Sequence, residues 1–293
     1  MGRIATYSMI NCAVNPQAAR ERVTAYEPIL RKKKVLVVGG GVAGCEAARV
    51  LALRGHKPVV YEKASRLGGN LIPGGAPDFK EDDIALADWY TRELARLNVE
   101  VHMNTAVTRD MILAGGYDTV IMATGSTPKV FSLGDDSKVY TAAEVLMKEK
   151  DCGDTTVVVG GGLVGCETAL WLAQQGKNVT IVEALDKIMK VNGPLCHSNL
   201  DMLEGLLPFN GVKILTSAKV SKFENGVLSV ETAEGTKALN CDSVILAVGY
   251  NEENSLYHEV EFEVPEIYLL GDAKKVANIL YAIWDAFEVA NHI

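Results

Sequence analysis

The residues best placed to do chemistry are glycines in two clusters. Gly39, Gly41 and Gly44 form a G-x-G-x-x-G pattern, and Gly160, Gly162 and Gly165 repeat it. An acid follows each cluster, Glu62 and Glu183, in both cases 23 residues after the first glycine. This spacing suits a dinucleotide. The first glycine allows a tight turn, the second lets a pyrophosphate approach the backbone, and the third lets helix and strand pack closely. The helix that follows offers free N–H groups and the positive end of its dipole to the phosphates. The acid can accept hydrogen bonds from both ribose hydroxyls.

Both clusters need a strand before them and a helix after them, and the flanking residues provide both. Val35-Leu36-Val37-Val38 is an apolar, β-branched run of the kind that makes a buried parallel strand. An Ala- and Leu-rich helix then runs to Gly55, and a second strand, Pro58 to Tyr61, closes on Glu62. The unit recurs as Val157–Val159, a helix to Gly176, a strand Val179–Val182 and Glu183. The offset is 121 residues throughout, from Gly39 to Gly160, Gly55 to Gly176 and Glu62 to Glu183.

Between the copies lies Arg66-Leu67-Gly68-Gly69-Asn70, then a Gly- and Pro-rich loop to Asp78. A helix is predicted from about Asp82 to Asn98, with Ile84, Ala87, Leu94 and Leu97 at helical spacing. Val99–Met103 and Asp118–Met122 read as strands, and Ser126 to Tyr140 as a linker. Thr141-Ala142-Ala143-Glu144 is a capping box that opens a short helix. After Glu183 the pattern predicts a helix near Ser198–Leu207 and a strand at Val212–Leu215. Asn225-Gly226 signals a hairpin with arms Val220–Glu224 and Val227–Glu231. Asp242 to Gly249 echoes Asp118 to Gly125, and the chain ends in an amphipathic helix from about Ile279 to Asn291. Residues 1–34 read as a tail without a core, in which Asn15-Pro16 opens a helix from Gln17 to Tyr26.

Composition narrows the classes. A chain of 293 residues with 48% hydrophobic content suits about two domains with buried cores. The formal charge is −8, so Arg31-Lys32-Lys33-Lys34 reads as a solvated linker and no nucleic-acid partner is expected. No apolar run approaches the ~18 residues of a membrane span, and no signal peptide is visible. Met1 to Thr6 formally fits a myristoylation pattern, but the residues beyond look like the middle of a larger protein. The six cysteines (12, 45, 152, 166, 196, 241) include no C-x-x-C pair and read as reduced thiols of a cytoplasmic protein. Cys45 and Cys166 follow the third glycines, where small buried side chains pack well. His56, His102, His197, His258 and His292 have no metal-ligand spacing, and Trp89, Trp171 and Trp284 read as helix packing residues.

Two dinucleotide units, Ala123-Thr124-Gly125 after the first, Ala247-Val248-Gly249 after the second and Gly271-Asp272 near the end resemble the two-dinucleotide-domain flavoprotein reductases. The resemblance covers about Lys34 to Ile293. It implies an α/β fold of two Rossmann-like dinucleotide-binding domains, the second inserted into the first, in a three-layer ββα arrangement with antiparallel β-meanders. Residues 35–129 and 242–293 would form the FAD domain and residues 139–241 the NAD(H) domain. FAD would meet Gly39, Gly41, Val42, Ala43, Gly44, Glu62, Lys63, Gly69, Asn70, Val107, Ala123, Thr124, Gly125, Gly271 and Asp272, the last on the ribityl chain. The helix after Asp272 would turn its positive N-terminus to the flavin. NAD would meet Gly160, Gly162, Leu163, Val164, Gly165, Glu183 and Gly249. Disulfide reductases of the family carry a cysteine pair just after Gly68-Gly69 or inside the second domain; neither stands here, so dithiol chemistry is not expected.

The tail narrows the resemblance. Cys12-Ala13-Val14-Asn15-Pro16 and the ending Asn278 to Phe287 resemble 2,4-dienoyl-CoA and 2-enoate reductases. Those enzymes begin with an FMN-binding barrel and a [4Fe–4S] segment. Cys12 would be the fourth cluster ligand, and the chain would start after the other three. The implied partner is that barrel of the same longer chain, with self-association left open. The implied chemistry is hydride transfer from NADH to FAD, with onward transfer through the cluster to FMN and an enoyl substrate. It calls for no acid, base or nucleophile. Alone, the chain would retain diaphorase activity at most. Glu183 favours NADH, because its carboxylate binds a 2′-hydroxyl and repels a 2′-phosphate. Glu167 either faces the nicotinamide or is a solvent-facing helix residue. Two other readings stay open: a silent ADP-binding module, as in amine-dehydrogenase relatives, and a free-standing NADH:acceptor reductase.

Overall fold

A computed structural model describes residues 10–26, 29, 31–190 and 197–293. The chain divides into two units. The outer unit holds the described residues up to Gly75, then Glu81–Thr127 and Asn251–Ile293; the inserted unit holds Ala76–Lys80 and the described residues of Pro128–Tyr250.

The outer unit opens with β1 (Lys34–Val38), α1 (Val42–Arg54) and β2 (Lys57–Tyr61). It continues through α2 (Leu71–Gly74), α3 (Glu81–Arg96), β3 (Glu100–His102), α4 (Arg109–Ala114) and β4 (Thr119–Met122). After β5 (Ser126–Pro128) the inserted unit runs β6 (Val139–Thr141), α5 (Ala142–Leu146), β7 (Thr155–Val159), α6 (Leu163–Gln174) and β8 (Asn178–Val182). Then come α7 (His197–Phe209), β9 (Lys213–Leu215), β10 (Lys219–Glu224), β11 (Val227–Thr232), β12 (Gly235–Asn240) and β13 (Ser243–Leu246). β14 (Tyr250–Glu252) leads back to the outer unit, which ends with α8 (Ser255–Val260), β15 (Ile267–Leu269) and α9 (Ile279–His292).

Each unit is built on a parallel sheet with its glycine turn at the end of a central strand. The outer sheet has the order β15-β4-β1-β2-β3, and the inserted sheet β6-β13-β7-β8-β9. The last four residues of β1 and of β7 are buried, as a parallel strand covered on both faces requires. Val35 and Val37 face Leu51 of α1, Leu94 of α3 and Phe287 of α9, while Leu36 and Val38 join Ile112 and Val260. In the inserted unit Val158 and Ile181 pack with Leu170 and Leu203, and Val157 and Val159 with Phe223 and Leu228 of the antiparallel β10-β11-β12 meander. Each such side chain contributes roughly 1.5–3 kcal/mol relative to exposure. Asn225 and Gly226 both take positive φ (52° and 75°), the pairing that closes a two-residue hairpin. The capping box at Thr141 and Glu144 forms with both its bonds.

The fold class is as expected; among the described residues the three-stranded antiparallel meander β10-β11-β12 lies in the inserted unit, and the connection from β3 to β4 carries α4. The structure departs from the sequence expectations in several places. Strand β13 pairs with β6 and β7, so the inserted unit extends to Tyr250 and not only to residue 241. The expected linker from Ser126 to Tyr140 contains β5 and the start of β6. Gln17 to Tyr26 forms successive turns in place of a helix: Ala19 sits at φ 61°, and Asn15 Oδ1 accepts the Gln17 N–H in a local turn. The basic run at 31–34 is tied down through Lys33 Nζ to Glu266 (2.6 Å) and Arg31 to Asp118 (3.4 Å). Among the described residues no helix is long and apolar enough to cross a membrane.

Candidate functional site

The two glycine turns have matching geometry. Gly39 and Gly160 take φ 104° and 107°, and a Cβ there would lie 2.3 Å and 2.4 Å from the carbonyl oxygens of Ala123 and Ala247. A Cβ on Gly44 would come within 1.9 Å of the Gly39 oxygen, and one on Gly165 within 2.0 Å of the Gly160 oxygen. Packing therefore demands glycine at the first and third positions. The middle position is different. Among the described residues a Cβ on Gly162 would meet nothing within 4 Å, and one on Gly41 only the Gly69 Cα at 3.9 Å. No described residue requires glycine there, and the open space beside the backbone fits the approach of a pyrophosphate. Gly41 and Gly162 are also the N-caps of α1 and α6, with no side-chain cap and no acid in either first turn. These helix ends suit an anion.

Glu62 and Glu183 stand at the ends of β2 and β8, each bound to its own turn. Glu62 accepts the Gly40 N–H (2.6 Å) on Oε2 and the Ala64 N–H (2.7 Å) on Oε1. Glu183 accepts the Gly161 N–H (2.5 Å) on Oε2 and the Leu185 N–H (2.8 Å) on Oε1. Each carboxylate is thus oriented by backbone and keeps acceptor capacity on both oxygens for a ribose diol.

Further outer-unit residues gather on the first turn. Gly68 N–H donates to the Gly40 oxygen (2.9 Å), Gly41 bridges to Gly68, and a Cβ on Gly69 would lie 3.1 Å from the Gly41 Cα. The Gly- and Pro-rich segment after Asn70, expected as a loop to Asp78, carries α2. Gly271, at φ 58°, lies so close to Ala43 that a Cβ would meet the Ala43 methyl at 2.8 Å. Its N–H donates to Asp285 Oδ2 (3.2 Å). Asp272 Oδ1 accepts the Ala277 N–H (3.1 Å), and Oδ2 accepts from Ser126 Oγ (2.9 Å), which in turn accepts from Asn70 Nδ2 (3.3 Å). Ser126 is the residue sequence reasoning missed. Its only signal is a hydroxyl directly after Ala123-Thr124-Gly125.

The remaining predicted residues are placed as follows. Thr124 Oγ1 donates to the Glu253 oxygen, and the Gly125 oxygen accepts the Glu253 N–H. Gly249 accepts the Lys129 N–H (2.9 Å). Val42 opens α1, and Leu163 and Val164 open α6, with Val164 exposed. Val107 is half-buried beside the Leu36 cluster, and Lys63 is exposed beside Glu62. Glu167 does not face open solvent: it pairs with Lys80 at 3.2 Å, with its side chain 16% exposed. The thiols of Cys45 and Cys166 donate to the Gly40 and Gly161 oxygens (3.2 and 3.4 Å). Burial, helped by nearby glutamates, pushes the Cys166 thiol up to about 12 and raises Cys45 further still. Both stay protonated. Cys12 is half-buried, and its carbonyl accepts the Trp284 indole N–H (3.0 Å), so Trp284 does more than pack. Among the described residues no group of three or more His, Cys, Asp or Glu is assembled for a metal. Cys196 lies outside the described residues.

Comparison with known proteins gives a consistent result. The family described as Pyridine nucleotide-disulphide oxidoreductase matches residues 33–286. The chain is 49% identical over 293 residues to the cinnamate reductase of Clostridium sporogenes, covering 100% of this chain and 44% of that one. It is 37% identical over 300 residues to the NADH oxidase of Thermoanaerobacter brockii, covering 99% of this chain and 45% of that one. A 2-naphthoyl-CoA reductase solved with 2-naphthoyl-CoA matches with a TM-score of 0.92 at 29% identity, over 99% of this chain and 44% of that one. The chain therefore spans less than half the length of these relatives.

Proposed function

The chain belongs to the pyridine nucleotide-disulphide oxidoreductase family, and from that premise we propose that it is the NADH-oxidising module of a longer flavoenzyme that reduces an activated alkene. FAD is assigned to the outer unit and NADH to the inserted unit. The observation that carries this reading is the open side of Gly41 and of Gly162, each beside an uncapped helix end and a carboxylate already oriented by its own turn.

FAD, when bound, supplies the acceptor for a hydride from the nicotinamide. The protein's share is binding and orientation. In the outer unit the α1 end takes the pyrophosphate, Glu62 the adenosine ribose, and the Asn70–Ser126–Asp272 chain the hydroxyls of the ribityl arm. In the inserted unit the α6 end and Glu183 hold NADH. Because two backbone N–H groups fix Glu183, its carboxylate cannot easily swing aside for a 2′-phosphate. No side chain is required as acid, base or nucleophile. The alkene substrate class rests on the names of the cinnamate and 2-naphthoyl-CoA reductases. A [4Fe–4S] cluster is normally held by four cysteines, so Cys12 alone does not make one. Any such cluster and an FMN barrel belong to the remainder of the longer protein.

The test is a visible spectrum of the purified, FAD-supplemented chain before and after anaerobic NADH. Flavin absorbance that NADH bleaches is expected. A colourless protein that releases only ADP on denaturation, or flavin that NADH leaves oxidised, would overturn the reading.

A further inference from the structure

In both turns the peptide before the middle glycine is held by the same set of donors. The Gly40 oxygen accepts the Gly68 N–H (2.9 Å) and the Cys45 thiol (3.2 Å). The Gly161 oxygen accepts the Met189 N–H (2.7 Å) and the Cys166 thiol (3.4 Å). One peptide earlier, the Gly40 and Gly161 N–H groups are held by Glu62 and Glu183. The carbonyl of Gly40 and the N–H of Gly41 are opposite ends of one planar trans peptide and point in opposite directions. Fixing the carbonyl toward the protein therefore aims the Gly41 N–H away from it. The same holds at Gly161 and Gly162, where the middle glycine has open space beside it.

We propose that Cys45 and Cys166 are positioning residues whose thiols lock these peptides, so that the N–H of Gly41 and of Gly162 is pre-aimed at a diphosphate. This rests on the assignment of dinucleotides to the two turns. Both cysteines are fully buried, and their protonated thiols remain donors across the physiological range. Simple packing explains a small apolar side chain at these sites. It does not explain why two sites 121 residues apart give the same donor to the same carbonyl. Pre-aiming removes an ordering cost at binding.

The test uses the FAD-loaded full chain with Cys166→Ala and Cys166→Ser, reading competition against NADH by ADP-ribose and by adenosine. Cys166→Ala should weaken ADP-ribose about three- to tenfold, the range of one weak hydrogen bond, and leave adenosine, which lacks the diphosphate, unchanged. Cys166→Ser, which keeps a donor, should return ADP-ribose to within about twofold of the parent. Equal weakening of both ligands, or alanine and serine behaving alike, would overturn the proposal and leave the dinucleotide assignment standing. A parent chain that binds neither ADP-ribose nor NADH overturns both. Should Cys166→Ala not fold, Cys45→Ala and Cys45→Ser give the same test through FAD release: alanine speeds it and serine restores it, and no difference between them sinks the idea.

Discussion

Glu183 binds the backbone of its own turn at the position where it is expected to read a ribose, and the two tasks share one carboxylate. Glu183→Gln removes the charge that opposes a 2′-phosphate, and it leaves one of two backbone N–H groups facing an amide that cannot accept. Two effects should follow. The preference for NADH over NADPH, read as the ratio of kcat/KM values, should fall about tenfold, equivalent to about 1.4 kcal/mol. Stability should fall by about 1 kcal/mol, the usual cost of one broken hydrogen bond. An unchanged nucleotide preference in the variant would show that specificity lies elsewhere.

At the scale of the strand–turn–helix element, glycines that look alike in sequence separate by their surroundings. Gly165→Ala forces a Cβ to within 2.0 Å of the Gly160 oxygen, a backbone atom that cannot move without shifting α6 against β7. The expected cost is about 3 kcal/mol or more, at the upper end of overpacking. Gly162→Ala enters open space, and its cost is limited to about 1 kcal/mol from exchanging a helix N-cap glycine for alanine. Its effect should fall on ligand binding, with NADH affinity reduced at least about tenfold as the methyl occupies the phosphate's approach. Denaturant unfolding and NADH titration of the two variants should give opposite orders of severity. The same order in both would mean that the middle glycine serves the fold and not a ligand.

For the whole molecule, His56 makes stability depend on pH. It is buried, accepts the Lys33 N–H on Nδ1 (3.2 Å), and among the described residues finds no partner for Nε2. Burial first, then the charges of Arg54 and Lys33, lower its pKa below the ordinary histidine value. The unfolded chain thus takes up this proton before the folded one does. Stability should decline as pH falls below about 6.5, by at most about 1.4 kcal/mol per pH unit from this group, until the folded histidine also protonates. Denaturant midpoints between about pH 5 and pH 7 should show the decline, and His56→Gln should flatten it. A variant with the same slope would assign the pH dependence to other groups.

The sequence alone determined what is local. The G-x-G-x-x-G turns, their strands, the acid 23 residues on and the capping box at Thr141 depend on neighbours within one strand–helix–strand unit, where hydrophobic period and glycine spacing are direct physical signals. The tertiary structure decided what long-range pairing brings together. Ser126 meets Asp272 across 146 residues, and Lys80 meets Glu167 across 87. Strand β13 joins the inserted sheet, and Trp284 reaches the Cys12 carbonyl. No period in the sequence encodes these contacts, because they depend on which strands pair and on the direction each side chain takes once the sheets are formed. The roles of Cys45 and Cys166 fall between the two. Their places after the third glycines were legible, but the carbonyls their thiols reach became visible only when the turns had closed.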